Sequence, residues 1–273
     1  MRNSVPTGVF HGNGRSYNCN RAHFLTIVCL YPIVDRMEQQ GTFLHIIARI
    51  HSEFPSKFGI PRQSGLIDTL RATIVFEPPY RDPQALRGLE GYSHIWLLWQ
   101  FSQALREGWS PTVRPPRLGG NKRMGVFATR SPYRPNAIGL SSVRLDGIEV
   151  HTPQGPVLHV AGADLMDQSP IYDIKPYLAY TDAHPQATAG FSLQPGEGML
   201  QVQFPDDLLK RVAAAHRQSL CDVLAQDPRP AYQMAPQRVY KLEFGDVEVH
   251  FTVSEQTLTV HDVVPRRNPQ NRL

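Results

Sequence analysis

The chain has 273 residues, of which 41% are hydrophobic, and this composition excludes disorder of the whole chain and allows one or two buried cores. The formal net charge of +4 is a weak argument for nucleic-acid binding, because residues 1–36 hold four arginines and only one aspartate. The three cysteines are scattered at Cys19, Cys29 and Cys221, which excludes a disulfide framework and favours a reducing, cytoplasmic location.

Residues 1–36 differ from the rest of the chain in composition. They are rich in turn formers and lack hydrophobic periodicity, which predicts a disordered or weakly structured tail. The apolar run Phe24–Val34 is too short to cross a bilayer, and no small-residue cleavage site follows it, so we expect no membrane span and no signal peptide. Our hypothesis is that translation begins at Met37.

From Gly41 onward, short apolar runs alternate with turns that are rich in proline and glycine. Five of these runs have the composition of strands, and their sequences are TFLHIIARIHS, ATIVF, HIWLLWQF, GLSSVRL and PVLHVAGADLM. The run His94–Phe101 is nearly all apolar, so a strand buried on both faces is expected there. No strand–helix alternation of a doubly wound sheet is visible. The pattern therefore predicts a mainly β protein with a β-barrel over residues 42–188.

After Gly190 the pattern changes to that of a small α+β domain. Residues Asp206–Gln226 place leucines and valines at near-helical spacing behind two acidic residues, which predicts one helix. Three alternating runs, RVYKLEFG, DVEVHFTV and QTLTVHDVV, predict strands joined by tight turns. The sequence therefore predicts a second domain over residues 190–265.

The segment Val113–Arg144 is the most distinctive part of the chain. Together with Arg106 it holds eight basic residues against the single acid Glu107, and its prolines stiffen the turn that carries Arg130 and Arg134. A stiff, cationic segment of this kind is suited to bind an anionic, planar ligand. The alternative on composition alone is a solvated basic loop with ordinary turn residues.

Several motifs of well-known enzyme classes do not occur in the sequence. It has no G-x-G-x-x-G after a predicted strand, no phosphate-binding G-x-x-x-x-G-K-[ST] and no H-E-x-x-H. Its 11 histidines are dispersed, which argues against a metal site. Ser131 lacks the G-x-S-x-G setting of a hydrolase nucleophile. Taken singly, the remaining residues leave the activity open.

Six longer motifs, taken together, point to one family. They are KFGIPRQSGL, RGLEGYSHIWLL, VRPPRLGGN, GVFATRSPYRPNAIGLS, ADLMDQSPIYDIKPY and LAQDPRPAY, and they occur in this order. The chain resembles the tRNA threonylcarbamoyladenosine methyltransferases, the TrmO-like (YaeB/TsaA-like) family. The resemblance extends from about Leu44 to the C-terminal strands and leaves residues 1–36 outside it.

The resemblance implies a homodimer that binds S-adenosylmethionine on a β-barrel rather than on a Rossmann sheet and that needs no metal. It implies methyl transfer to N6 of threonylcarbamoyladenosine (t6A to m6t6A), beside the anticodon in the anticodon loop of threonine tRNA. The family's cofactor contacts fall on Pro61, Arg62, Gln63, Ser102, Gln103, Arg130, Leu140, Asp164, Leu165, Met166 and Asp167.

The sequence departs from the family's usual pattern at two places beside this implied cofactor site. The family often has histidine where Ser102 stands, and a Gly-Thr pair where Gln168-Ser169 stand. The second departure alters a tight turn but keeps a hydroxyl, so cofactor affinity is the property that it puts in question.

The implied reaction suggests roles for further residues. The nitrogen to be methylated is a poor nucleophile, so orientation against the methyl donor can contribute roughly 7–11 kcal/mol, and a carboxylate can take the proton. We hypothesise that Asp173 or Asp167 is this general base. The substrate's carboxylate and base are assigned to Arg134 and Asn136, and Asn136 is also counted among the catalytic residues. Lys175 is assigned to substrate or tRNA binding, and the backbone phosphates are assigned to Arg114, Arg117, Lys122 and Arg123.

Two other functions remain open from the sequence. One is a methyltransferase of the same barrel that acts on another RNA, a protein or a small molecule, and the basic segment favours RNA among these without choosing which. The other is a non-catalytic RNA- or nucleotide-binding module that has kept the barrel. Cofactor binding without methyl transfer would distinguish this module from an enzyme.

Overall fold

Strands make up most of the regular structure in this computed structural model, which describes residues 42–115, 118, 122–191, 198–229 and 238–266. The strands in these ranges are β1 (Ala48–His51), β2 (Arg71–Phe76), β3 (His94–Gln100), β4 (Thr112–Val113), β5 (Met124–Gly125), β6 (Ile138–Glu149), β7 (Val157–Ala161), β8 (Pro170–Pro176), β9 (Gln201–Gln203), β10 (Tyr240–Phe244), β11 (Val247–Ser254) and β12 (Thr257–Pro265). The α-helices in the same ranges are α1 (Ala179–Asp182), α2 (Asp206–Leu209) and α3 (Arg217–Ala225). The expected tail over residues 1–36, the proposed start at Met37 and the side chain of Arg117 lie outside the described residues. Within the described part, no helix is both long and apolar enough to cross a membrane.

Six antiparallel strands close into a barrel in the order β1-β2-β7-β6-β3-β8, because β8 pairs with β1 as well as with β3. This closure confirms the predicted mainly β fold with an N-terminal barrel. Side chains alternate between the two faces of each strand, and most of the inward ones are β-branched or otherwise apolar. The interior is filled by side chains with almost no exposure, among them Ala48, Ile50, Ile74, Ile95, Leu97, Leu158, Val160 and Ile171.

Strand β3 does not have the two buried faces that were expected for His94–Phe101. Ile95, Leu97 and Trp99 are buried inside the barrel, whereas the alternate residues of the strand are only half-buried. The expectation was wrong because the outer positions are apolar too, Trp96 among them, and composition does not distinguish the two faces. These outer side chains belong to the candidate site.

The C-terminal residues form a second sheet in the order β10-β11-β12-β9, in which β9 runs parallel to β12 and the other pairs are antiparallel. The three predicted strands are confirmed, whereas β9 has only three residues and gave no signal. The predicted single helix over Asp206–Gln226 is wrong, because a 3-10 turn at Ala214–His216 separates α2 from α3. Arg217 stabilises this break by donating to the backbone carbonyls of Val212 (3.0 Å) and Lys210 (3.3 Å).

Residues 52–70 connect β1 to β2 along the chain and pack against the C-terminal sheet. Because they link the barrel to that sheet through packing, we call them the linking segment. Its residues Phe54, Ile67 and Leu70 lie in one apolar cluster with side chains of α3 and of the C-terminal strands. Residues from Leu44 onward accordingly belong to one compact unit. The division into domains over residues 42–188 and 190–265 stays a prediction.

Candidate functional site

A hydrogen-bonded chain leads from the barrel interior to Asp164, just beyond the end of β7. The indole nitrogen of Trp99 donates to Ser141 Oγ (3.0 Å), and Ser141 Oγ donates to Asp164 Oδ1 (2.6 Å). Trp99 needs Gly139 beneath it, because a Cβ at that position would overlap the indole ring. Burial raises the pKa of the Asp164 carboxyl, and the Ser141 hydrogen bond and the positive charge of Arg130 oppose that rise. The barrel therefore fixes a partly desolvated carboxyl group close to a cation.

Arg130 contacts the PRQ loop (Pro61-Arg62-Gln63), and its charge also acts on the Asp164 carboxyl group. Its guanidinium donates a hydrogen bond to the side-chain carbonyl of Gln63. The backbone N–H of Ser64, the residue after Gln63, acts to lower the pKa of the Asp164 carboxyl. Within the PRQ loop the proline is buried and the arginine is exposed. The structure thus brings Gln63, Arg130 and Asp164 together, although they lie far apart in the sequence.

Leu140 and Asp173 lie on the outer face of the barrel, on strands that both neighbour β3. Leu98 of β3 is the cross-strand partner of both, so these three side chains form one row across the sheet. Leu140 is 57% exposed. In the next row Trp96 pairs with Lys175, whose Nζ lies 2.8 Å from Asp173 Oδ2. The outer face therefore combines an apolar surface with one carboxylate–ammonium pair.

Asp167 makes a different set of contacts, on the side of the barrel next to β1. Its carboxylate accepts a hydrogen bond from the backbone N–H of Ser52 (3.2 Å) and lies 3.7 Å from His51 Nδ1. Leu165 is fully buried, and its carbonyl accepts a hydrogen bond from the Ser52 hydroxyl (2.8 Å). Asp167 and Leu165 thus hold their loop against the linking segment.

Ser102 and Gln103 begin an exposed 3-10 turn directly after β3. The backbone N–H of Phe101 donates to the carbonyl of Ala137 (2.9 Å), which lies just before β6. Asn136 is the preceding residue and is exposed. The implied cofactor contacts at Ser102 and Gln103 therefore lie at the same end of β3 and β6 as Asn136.

Arg134 stiffens the turn that carries it, a contribution that the sequence did not reveal. Its Nη1 donates to the carbonyl of Thr129 (3.1 Å) and reaches that of Ser131 (3.5 Å). The Thr129 hydroxyl donates to the carbonyl of Val126 (2.8 Å) and accepts from the backbone N–H of Ser131 (3.3 Å). The predicted rigidity of this turn therefore comes from side-chain hydrogen bonds as well as from its prolines.

The two-stranded ribbon of β4 and β5 carries those predicted phosphate-binding residues that the structure describes. Arg114, Lys122 and Arg123 are exposed on it. In the segments that flank the ribbon, Trp109 and Phe127 are 55% and 73% exposed, and their ring centroids lie 6.1 Å apart. Sequence reasoning missed this aromatic pair because two isolated aromatic residues give no periodic signal.

Gln168 has a left-handed backbone conformation (φ 64°) in the turn after Met166. We expect Gln168→Gly to be more stable than Gln168→Ala by about 1 kcal/mol, because only alanine keeps the conformational strain. Both variants lose the contact between the Gln168 amide and His51 Nδ1 (3.0 Å), so the comparison isolates the backbone. Urea unfolding of the two variants measures the difference, and equal stabilities would contradict the strain.

A closed antiparallel barrel with a buried carboxyl group, an arginine that acts on it and an adjacent cationic ribbon defines a β-barrel protein that is not of the Rossmann class. A small α+β sheet is joined to it. The chain belongs to the tRNA-methyltransferase O family: the model of the family's N-terminal domain matches residues 49–183, and that of its C-terminal domain matches residues 197–266.

Individual relatives agree with this assignment. The chain is 39% identical over 228 residues to the tRNA (adenine(37)-N6)-methyltransferase of Escherichia coli strain K12. This alignment covers 81% of this chain and 97% of the relative. It is 44% identical over 214 residues to RcsF of Pseudomonas aeruginosa, which is named a putative S-adenosylmethionine-dependent methyltransferase. This alignment covers 75% of this chain and 90% of the relative. The crystal structure of TrmO from Pseudomonas aeruginosa has a TM-score of 0.64 and 36% identity, with 82% of this chain and 99% of that chain covered.

Proposed function

We propose that this chain transfers a methyl group from S-adenosylmethionine to N6 of adenine 37 of tRNA, and that the adenosine is the threonylcarbamoylated one (t6A) of threonine tRNAs. The names of the relatives, which include tRNA (adenine(37)-N6)-methyltransferases, support the first part. The resemblance of the sequence motifs supports the second part. The observation that carries the proposal is the meeting of Arg130, Gln63 and Asp164 beside a stiff cationic segment.

The charges of the candidate site fit S-adenosylmethionine. This cofactor carries an ammonium group, a carboxylate and two ribose hydroxyls. The Asp164 carboxylate can accept hydrogen bonds from the ammonium group or the hydroxyls, and the Arg130 guanidinium can donate to the carboxylate. When bound, it supplies an electrophilic methyl group on a sulfonium. The residues proposed to hold it are Pro61, Arg62, Gln63, Ser102, Gln103, Arg130, Leu140, Asp164, Leu165, Met166 and Asp167.

Asp173 is the proposed general base that accepts the proton of the adenine N6 nitrogen. Lys175 orients its carboxylate from a distance of 2.8 Å. A β-bulge on β8 lies beside Asp173, at the shift in pairing between Leu98 and Trp99, and bulges re-aim the side chains next to them. Arg134 and Asn136 are proposed to hold the substrate.

The exposed cations of the β4–β5 ribbon are proposed to bind tRNA phosphates. Replacing Arg114, Lys122 and Arg123 together by glutamine is expected to weaken binding to all tRNAs, because phosphate contacts carry no sequence information. The slope of log K against log salt should fall by about 0.7–0.9 for each lost contact. Filter binding at several salt concentrations measures this slope. Lys241→Gln is the control, because Lys241 pairs with Glu248 on the C-terminal sheet, and an equal loss there would contradict the assignment.

The proposal also includes a homodimer, a cytoplasmic location and catalysis without a metal. The homodimer is supported by the resemblance and by a set of exposed apolar side chains, which are Leu105, Trp109, Phe127, Ile138 and Leu140. Among the described residues, no group of three or more His, Cys, Asp or Glu side chains is arranged to hold a metal. The molecular mass in solution tests the dimer, and activity in the presence of a chelator tests the need for a metal.

Transfer of labelled methyl from S-adenosylmethionine tests the function with two preparations of threonine tRNA, one with and one without the threonylcarbamoyl group. Label in the modified tRNA alone is the expected result. Label in both preparations would support methylation of tRNA but overturn the t6A requirement. No label in either, with S-adenosylmethionine bound, would overturn the tRNA substrate and favour another one.

A further inference from the structure

The linking segment is built into the hydrophobic core of the C-terminal sheet. Its side chains Phe54, Ile67 and Leu70 are at most 4% exposed and share one cluster with Leu242 and Phe244 of β10. The rings of Phe54 and Phe244 meet edge to face, with centroids 5.5 Å apart. Burial of this kind fixes the linking segment far more firmly than a surface loop.

The same segment presents the PRQ loop to the candidate site. Gln63 accepts a hydrogen bond from Arg130, and both Arg130 and the backbone N–H of Ser64 act to lower the pKa of the Asp164 carboxyl. Just before this loop, Gly59 (φ 85°) lies directly against Leu242, so closely that a Cβ would overlap Leu242 Cδ1. The position of the PRQ loop therefore depends on where β10 holds Gly59.

The start of the linking segment connects the C-terminal sheet to the other implied cofactor loop, residues 164–167. Ser52 binds both Leu165 and Asp167 of that loop, as described for the site. The next residue, Glu53, faces the C-terminal sheet: its carbonyl accepts from the backbone N–H of Gly245 (2.7 Å), and its carboxylate lies 3.5 Å from His216 Nδ1. One short stretch of chain is thus held between the cofactor loop and the C-terminal sheet.

We infer that the C-terminal sheet positions both cofactor loops and so sets the affinity for S-adenosylmethionine, with Leu242 and Gly59 as the positioning residues. This inference rests on the proposed function, because it concerns the cofactor of that site. A C-terminal domain that served only as a separate RNA-binding module would have a core of its own, whereas this core includes the segment that carries the PRQ loop.

The test compares Gly59→Ala with Gly88→Ala in the full chain. Both glycines have a left-handed backbone (φ 85° and 89°), but an added Cβ has open space at Gly88 and meets Leu242 at Gly59. We expect Gly59→Ala to raise the Kd of S-adenosylmethionine about tenfold, because displacing a binding loop by a fraction of an ångström weakens its contacts. Gly88→Ala should leave this Kd within about twofold of wild type. Titration calorimetry measures both without any catalysis.

A second pair of variants covers the case in which Gly59→Ala does not fold. The Thr69 hydroxyl of the linking segment donates to Asp222 of α3 (2.5 Å), whereas the Thr259 hydroxyl donates to Gln203 within the C-terminal sheet (3.2 Å). Thr69→Val should raise the Kd of S-adenosylmethionine about threefold, and Thr259→Val should leave it unchanged, because only the first bond joins the linking segment to the helix. The Kd of tRNA should be unchanged in both.

The outcomes separate this inference from the proposed function. If wild type binds no S-adenosylmethionine, the proposed function fails and the inference fails with it. If wild type binds and the Gly59 and Thr69 variants bind equally well, only the inference is overturned. Weaker tRNA binding with unchanged S-adenosylmethionine binding in these variants would also overturn it and would support an RNA-binding role for the C-terminal domain.

Discussion

Replacement of Asp173 by asparagine is expected to lower kcat by about 10²–10⁴-fold, the usual contribution of a general base. The KM values for S-adenosylmethionine and tRNA should change little, because asparagine keeps the size of the side chain and its oxygen can still accept from the backbone N–H of Ile174 (2.9 Å). The reason lies in the position of the carboxylate. It shares a row on the outer face with Leu98 and Leu140, next to a β-bulge, and Lys175 lies 2.8 Å from it.

Asp167→Asn is the matched control, since Asp167 is the other carboxylate that the sequence offers as a base. Its oxygen already accepts from the backbone N–H of Ser52 and lies near His51, and asparagine preserves the first of these contacts. We expect a loss of kcat below about tenfold, with the main effect on the KM for S-adenosylmethionine. Single-turnover transfer of labelled methyl separates the chemical step from binding. Near-normal turnover in Asp173→Asn would remove Asp173 as the base.

The barrel could be predicted from sequence because its signals are local. The runs that became β2, β3 and β7 are short, apolar and bounded by glycine and proline, and several such strands without intervening helices leave few architectures. A local cap was also predictable: Asp82 before Pro83 accepts from the backbone N–H of Gln84 (2.9 Å) at the start of a 3-10 turn. Strand alternation alone, however, could not tell the inner face of β3 from its apolar outer face.

The features that sequence reasoning missed depend on contacts between distant residues. The break between α2 and α3 is stabilised when Arg217 folds back onto carbonyls of the preceding turn, and no periodicity shows that. The linking segment reads as an ordinary loop, yet Phe54, Ile67 and Leu70 belong to the C-terminal core. Such packing follows from the tertiary arrangement and overrides the local pattern.

The candidate site was identified in part by resemblance and in part only by structure. The resemblance assigned Gln63, Arg130 and Asp164 to one cofactor, and the fold brings them together. It did not reveal Ser141 or Trp99, because an isolated serine and an apolar tryptophan in a strand give no chemical signal. The departure from glycine at Gln168 acquires a physical meaning only with its left-handed backbone.

Replacement of Asp164 by asparagine is expected to weaken S-adenosylmethionine binding by about 10–100-fold while stabilising the folded protein at neutral pH. The affinity falls because a hydrogen bond to a charged group contributes roughly 1.5–3 kcal/mol, and 1.4 kcal/mol corresponds to tenfold. Stability rises because the variant removes a carboxylate that burial disfavours. Asparagine can still accept the hydrogen bond from Ser141, so the chain from Trp99 stays intact.

The stability gain has a defined pH dependence. Burial raises the pKa of Asp164 in the folded protein above its value in the unfolded chain, so the folded state keeps this proton to higher pH. Wild type therefore loses stability as pH rises from the ordinary carboxyl pKa of about 3.9 through the raised value, whereas the variant lacks this loss. The difference in the free energy of unfolding should be small in acid and reach a plateau above the raised pKa.

Urea unfolding across this pH range measures the difference, and a gap that does not change with pH would contradict the prediction. Ser141→Ala is the informative control, because it keeps the carboxylate but removes a hydrogen bond that lowers the pKa of Asp164. The pKa should rise further in that variant, and the loss of stability towards neutral pH should become larger than in wild type. Opposite shifts in the two variants would show that the buried carboxylate at the candidate site costs the folded protein stability.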